Sequence, residues 1–222
     1  MGEHAHDTGQ VFDKEFWDER YRSAPRIWSG DPNPQLVAEV AGWPAGRALD
    51  VGCGEGADAI WLAQRGWAVV AADISSVALE RGARHARDTD PQVSARIEWR
   101  QVDLLASAPE PGSYDLVSAQ FVQLPPEPRT RLFTALIAAV RPGGTLLVVG
   151  HHPSDLATGA HRPPMPEVFY TADEIAALLD HSWTVDVSEA RPRPASTADG
   201  APVTVHDAVL VATRRAGTGP PP

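Results

Sequence analysis

From Arg47 onward the chain alternates short apolar runs with stretches of helical period. RALDV (47–51) has the pattern of a short strand. ADAIWLAQR (57–65) repeats its apolar residues at helical spacing, and Gly66 stops it. WAVVAAD (67–73) is continuously apolar, as a strand buried on both faces should be. Ser75 or Ser76 caps the next predicted helix, which runs to about Arg87. ARIEWRQVD (95–103) alternates like a strand, and SYDLVSAQ (113–120) follows as another. EPRTRLFTALIAAV (127–140) reads as a helix, and PGG (142–144) turns the chain into TLLVVG (145–150). Thr171 and Glu174 form a capping-box pattern before a last helix. WTVDVSEA (183–190) and VTVHDAVLVAT (203–213) close the series as strands.

Strand and helix in alternation, with short connections, predict an α/β fold with helices on both faces of a parallel sheet. The final two strands are joined by RPRPASTADGAP, which has no helical pattern. A helix-free connection suits an antiparallel pair. The expectation is therefore a doubly wound, mostly parallel seven-stranded sheet with an antiparallel last strand. Before it, DKEFWDERYR from Asp13 predicts a helix with Trp17 and Tyr21 on one face. SAPRIWSGDPNP (23–34) reads as loop, and Asn33 caps a helix that starts at Pro34 and runs to about Gly42. Residues 1–12 read as mobile, 13–213 as a single domain and 214–222 as a disordered tail.

Composition narrows the chemistry. The 222 residues are 43% hydrophobic, enough for one α/β domain with a real core. The net charge of −10 argues against a nucleic-acid partner, since that grip needs clustered Lys and Arg. A single cysteine, Cys53, allows no intrachain disulfide and no multi-cysteine metal site. No metal centre is expected. The start MGEHAHDTGQ lacks a basic region and an apolar region, and the longest apolar stretches are too short to span a bilayer. The expectation is a cytoplasmic protein without a membrane partner. Nothing in the sequence indicates oligomeric state.

The densest signal is LDVGCGEG (49–56), directly after the first strand. In a doubly wound sheet, ligands bind beyond the carboxyl ends of the strands. Gly52, Gly54 and Gly56 let the backbone approach a ligand and take positive φ. Taken alone, GCGEGA also satisfies a dinucleotide pattern. Three acids tip the balance. Asp50 precedes the glycines, Asp73 ends the second strand, and Asp103 ends the third in QVDLL. Carboxylates at three successive strand ends suit a ligand that carries positive charge and no phosphate.

These residues resemble the class I methyltransferases that use S-adenosylmethionine (SAM). The resemblance rests on LDVGCGEG, VVAADIS with Asp73, QVDLL with Asp103, SYDLVSAQ and RPGGTLLVVG, and it extends over about residues 13–213. FWDERYRSAPRIWSGDPNPQLV near the start is similar to the tellurite-resistance and thiopurine methyltransferase group. The resemblance implies SAM as cofactor and a small-molecule acceptor. It implies that the Gly52–Gly56 backbone, with Cys53 as a small filler, lies under the methionine part of SAM. It implies Asp73 on the ribose, Ile74 against the adenine, and Asp103 with the Leu104 N–H on the adenine edge. Gln120 would sit beside the sulfonium, and Trp17, Tyr21 and Trp28 would form a lid. The competing expectations are an NAD(P)-dependent oxidoreductase and a non-catalytic SAM-binding module.

The acceptor is less legible. HHPSDLATGAHRPPMPEVFY (151–170) begins at a carboxyl end of the sheet, so His151, His152 and Asp155 face the expected site. His151 and His152 are candidate general bases, needed only if the acceptor atom is oxygen or nitrogen. The alternative is that they shape the pocket through backbone hydrogen bonds. LPPEP is displaced from the position of a D/N-P-P-Y/F/W motif and lacks its aromatic, which disfavours methylation of adenine or cytosine amino groups. A small thiol, a metalloid oxyanion or an oxygen or nitrogen nucleophile remains.

Overall fold

A computed structural model describes residues 13–160, 162–163, 165–197 and 199–217. The segment expected to be mobile, 1–12, lies outside the described residues, as do 218–222 of the expected tail. In chain order the elements are α1 (Lys14–Arg22), α2 (Pro34–Val40), β1 (Arg47–Val51), α3 (Ala57–Gln64), β2 (Ala68–Asp73), α4 (Ser76–Thr89) and α5 (Pro91–Ser94). There follow β3 (Ile97–Gln101), β4 (Tyr114–Gln120), α6 (Pro126–Ala139), β5 (Val140–His151), α7 (Ala172–Ala176), β6 (Trp183–Ser196) and β7 (Pro202–Arg214). Two short 3-10 turns, Pro153–Ala157 and Pro166–Val168, break the connection after β5.

The strands form one seven-stranded sheet in the order β3-β2-β1-β4-β5-β7-β6. β1 pairs in parallel with β2 and β4, and β2 with β3 and β4 with β5 are parallel too. β7 runs antiparallel to both β5 and β6. The expected architecture holds. The order reverses between β2 and β4, on either side of β1, so the carboxyl end of β1 is the switch point.

Each face of the sheet carries its own core. Leu49, Val70, Val117 and Leu146 pack with Phe133 and Leu136 of α6 and Ile175 of α7. Ala48, Ala71, Leu116 and Leu147 pack with Leu36 of α2, Leu62 of α3 and Ala86 of α4. Successive strand residues serve opposite faces, which is why the central strands are apolar throughout. Asp50 has the parity of Ala48, so it lies on the α2–α3 face.

The helix caps follow the sequence closely. The Asn33 side chain accepts the Gln35 N–H at 2.9 Å, and Ser75 accepts that of Ala78 at 3.2 Å. The capping box is half formed. Thr171 accepts the Glu174 N–H, but the Glu174 carboxylate pairs with Arg129 at 3.2 Å instead of returning to the cap.

The largest departure concerns RPRPAS. Its sequence has the pattern of a connection, but it continues β6 to Ser196, paired with β7 as far as Pro202. Two prolines in a strand argue against strand structure except at an edge, and β6 is the edge strand. Pro192 and Pro194 share one parity, so their missing N–H groups leave the other parity free to bond β7. The expected tail, 214–222, also begins two residues too early. Arg214 pairs with Trp183 within the sheet, and the Arg215 N–H donates to Ser182 O at 2.8 Å.

The β6–β7 hairpin outruns β5. β5 ends at His151, opposite Asp207, while β7 begins five residues earlier at Pro202. The hairpin therefore projects past the carboxyl edge of the sheet, where the glycine loop lies. Among the described residues no helix is long and apolar enough to cross a membrane.

Candidate cofactor and acceptor site

The three loop glycines all have positive φ, each opposite a different neighbour. At Gly52 a Cβ would press on Val122, 3.2 Å away. At Gly54 it would meet the Tyr21 hydroxyl at 2.7 Å. At Gly56 it would collide with the Trp99 ring, which also lies against Gly82 of α4. Gly56 is thus bare because β3 sends a tryptophan beneath the start of α3. Gly54 is bare where α1 comes down onto the loop.

Asp73 ties this loop to α4. One carboxylate oxygen accepts the Gly54 N–H at 2.8 Å and the other accepts the Ser75 N–H at 2.8 Å. Burial raises its carboxyl pKa, and these bonds work against that rise. Beneath the loop, Asp50 is 1% exposed, and its buried Oδ2 has no partner among the described residues. Burial first, then the charges of Asp58 and Asp73, push its carboxyl well above the usual range. Asp58, in the first turn of α3, accepts the Asn33 N–H at 2.6 Å, and burial lifts it to about 6. Among the described residues none of these three carboxylates has an ion-pair partner. Asp58 is not among the residues that the sequence pattern marks. The available signal was its place two residues after Gly56, where a carboxylate suits a helix start.

Cys53 is half-buried. Burial, then Asp73 and Asp50, raise its thiol pKa, so it stays a thiol and a filler in the loop. Ile74 is half-buried just past β2. Asp103 is exposed two residues beyond β3 and gives one oxygen to the Leu105 N–H at 2.9 Å, with half-buried Leu104 beside it.

The N-terminal aromatics do come down over the loop. Tyr21 is 3% exposed, and its hydroxyl accepts the Trp28 indole N–H at 3.1 Å. Trp17 lies 6.2 Å from the Tyr21 ring, centroid to centroid. Two acids fasten this layer. The Asp18 carboxylate accepts from the Ser75 hydroxyl at 2.6 Å and the Val77 N–H at 3.4 Å, at the start of α4. Glu55 accepts the Ile27 and Trp28 N–H groups at 3.1 and 3.4 Å and pairs with Arg81 at 3.1 Å. Neither acid was expected, because their partners are remote in sequence.

On the other side of the switch point, Gln120 donates to the Ser118 hydroxyl at 2.9 Å, and its buried Oε1 has no partner among the described residues. Phe121 follows at φ 55°, the one non-glycine residue with positive φ among the described residues. Such strain clusters at functional sites. The Phe121 ring stacks on His151 at 4.7 Å, and His151 faces Phe169 at 5.9 Å. Among the described residues the buried His151 Nδ1 has no partner. Burial first, then Arg162 and Arg193, push this imidazole down to about 3, so it is neutral at pH 7. His152 points elsewhere: its Nδ1 accepts the Ser154 N–H at 3.2 Å and caps the 3-10 turn. Asp155 is buried, pairs with Arg162 at 2.8 Å and accepts the His206 N–H at 2.8 Å. Among the described residues no group of three or more His, Cys, Asp or Glu is placed to hold a metal ion.

The sheet order, with the glycine loop at its switch point and acids around it, is the arrangement of the class I methyltransferase fold. Residues 48–144 match the family model described as a methyltransferase domain. Glycine N-methyltransferase of Homo sapiens is 30% identical over 176 residues, 68% of this chain and 59% of that protein. A ubiquinone biosynthesis O-methyltransferase of Xanthomonas campestris pv. campestris is 29% identical over 160 residues, 67% of this chain and 65% of that protein. The chain thus spans less than two thirds of the length of these relatives. A structure from work on conversion of a disulfide bond into a thioacetal group during echinomycin biosynthesis shares the fold, with TM-score 0.68, 24% identity and 93% of each chain covered. TehB from Haemophilus influenzae shares it with TM-score 0.64 and 15% identity, over 91% of this chain and 66% of that one.

Proposed function

We propose that the protein is a methyltransferase that binds SAM and methylates a small-molecule nucleophile. The observation that carries this reading is the cluster of buried Asp50 and Asp73 with half-buried Asp58 around a bare backbone loop, with no cation paired to them among the described residues. Buried charge is stable only when compensated. A ligand with an ammonium and a sulfonium supplies that compensation. A pyrophosphate would add two negative charges to the same place, so the dinucleotide alternative is not supported.

SAM brings a methyl group already activated by its sulfonium. The protein's work is to hold, align and keep out water, effects worth roughly 7–11 kcal/mol in favourable cases. In this reading the Gly52–Gly56 backbone cradles the methionine part. Asp50, which is buried, and Asp58, which is half-buried, act through the field beneath the loop. Asp73 keeps a lone pair on each oxygen for the ribose hydroxyls, Ile74 packs on the adenine, and Asp103 with the Leu104 N–H meets its edge. The Gln120 Oε1 faces the reacting centre. Trp17, Tyr21 and Trp28 close over the site, and π faces attract a sulfonium.

His151 lines the acceptor side as a neutral imidazole. A group whose pKa lies near 3 holds a transferred proton poorly, so it serves as a wall and hydrogen-bond partner rather than a base. That favours an acceptor that needs little base help, such as a thiol or a metalloid oxyanion, over an oxygen or nitrogen that must lose a proton. His152 belongs to the turn. The acidic charge of −10 speaks against a nucleic-acid acceptor, and a cytoplasmic setting fits the single cysteine.

Thermal unfolding with SAM, S-adenosylhomocysteine, NAD and NADP tests the reading. At a hundred times its dissociation constant a ligand adds about 2.7 kcal/mol, a shift of roughly 5–10 °C for this size. A shift with the first two alone is expected. A shift with the nicotinamides alone would overturn it.

A further inference from the structure

The hairpin arm that projects past the sheet carries one arginine with an unusual arrangement. The Nε of Arg193 donates to both oxygens of Asp207 at 2.9 Å. Asp207 is 1% exposed and is held in turn by the Gln35 amide at 3.2 Å. The Arg193 guanidinium carbon lies 5.9 Å from the centroid of the Phe121 ring. Among the described residues no hydrogen bond engages either of its Nη groups, and the side chain is 31% exposed. Its four Nη N–H donors are therefore without a protein partner among the described residues. Pro192 and Pro194 flank the residue and restrict its backbone.

Its location is as informative as its bonding. Phe121 is the strained residue directly after Gln120, and its ring touches His151. Arg193 is thus delivered by β6 to the carboxyl end of β4 and β5. There the buried Gln120 Oε1 and His151 Nδ1 also lack partners among the described residues. Phe121, His151 and Phe169 form an apolar wall beside these polar atoms. A guanidinium with both Nη groups free presents two parallel donors, the geometry that matches a carboxylate.

We propose that the methyl acceptor carries a carboxylate, and that this group docks on the paired Nη donors of Arg193 with the body of the acceptor against Phe121 and His151. The proposal rests on the methyltransferase reading. It makes Arg193 the residue that selects the substrate class and positions the acceptor toward Gln120. Asp207 and Gln35 are positioning residues that act through Arg193.

The test uses the full chain saturated with S-adenosylhomocysteine and three matched probe pairs: anthranilate, salicylate and thiosalicylate, each with its neutral amide. Binding is read by calorimetry, and methylation with SAM by mass spectrometry. At least one acid is expected to bind the wild-type complex ten times more tightly than its amide. Arg193→Lys keeps a cation beside Asp207 but lacks the fork, so it should fold with unchanged S-adenosylhomocysteine affinity. The same variant should lose the acid preference, while binding of the amides stays unchanged. Arg193→Gln should lose it too, with stability checked by thermal unfolding. Equal binding of acids and amides to wild type, no binding of any acid at 10 mM, or a preference that survives in Arg193→Lys would overturn the proposal. Failure of S-adenosylhomocysteine to bind at all would instead overturn the methyltransferase reading.

Discussion

The Gly54 N–H and the Asp73 carboxylate meet at 2.8 Å, joining the loop after β1 to the end of β2. The second oxygen of Asp73 takes the Ser75 N–H, so one side chain sets the glycine loop and the start of α4 together. A residue expected to touch the ribose is first of all the fastening of the site that receives it.

Asp73→Ala should therefore fail in two ways. Hydrogen bonds to a charged acceptor contribute about 1.5–3 kcal/mol each, so thermal unfolding should fall by several degrees. Calorimetry should show weaker S-adenosylhomocysteine binding as well. An unchanged melting temperature would deny the tie, and unchanged affinity would deny the ribose contact.

Gly56→Ala tests whether the third glycine serves packing. Its φ of 82° and the Trp99 ring both oppose a side chain. Left-handed strain costs about 1–2 kcal/mol and overpacking about 1–3 kcal/mol. Denaturant unfolding should show the sum. In the Trp99→Leu background the overpacking part should vanish, and a purely additive cycle would refute the collision.

The acid cluster sets a pH dependence. Asp58 titrates at about 6 in the folded protein, above its ordinary value of 3.8. The folded state thus holds an extra proton between these values, and ligand-free stability falls as pH rises through that window. A cationic ligand favours the ionised form. SAM affinity should weaken up to about tenfold from pH 7 to pH 5, with proton release near pH 6. Calorimetry in buffers of different ionisation enthalpy reads this directly. Flat affinity would remove Asp58 from the site's electrostatics.

His151 sets the opposite slope. Its pKa of about 3 lies below the ordinary 6.5, so the unfolded chain binds a proton that the folded one refuses. Stability is lost as pH falls from about 6.5 toward 3. Between pH 7 and 5 that amounts to at most about 2 kcal/mol. His151→Asn should show a correspondingly shallower loss in urea unfolding. It should also keep turnover within tenfold; a complete loss of turnover would restore the general-base reading.

Asp18→Ala should release the layer formed by α1 and the following loop. The Asp18 carboxylate is 3% exposed and seats α1 on the Ser75 hydroxyl and the Val77 N–H. Tyr21 then stands directly above Gly54. Stopped-flow should show S-adenosylhomocysteine leaving at least tenfold faster with little change in association. An unchanged off-rate would mean that α1 does not gate the site.

Much of this was written locally in the chain. Continuous apolar runs such as WAVVAAD fixed the buried parallel strands, because both faces of such a sheet need apolar residues. Caps at Asn33 and Ser75 bond within three residues, so their sequence neighbours suffice. The glycine loop and Asp73 were legible for the same reason: strand ends and tight turns have short-range signatures. What the tertiary structure decided is long-range. RPRPAS looks like a linker until its place at the sheet edge lets two prolines sit in a strand. Asp18 meets Ser75 57 positions away, and Gln35 meets Asp207 172 positions away. Arg193 becomes an open fork only because β6 outruns β5 and sets it above Phe121. Local pattern carries periodicity and caps, but a buried charge finds its partner through packing, and packing is settled only when the sheet order is complete.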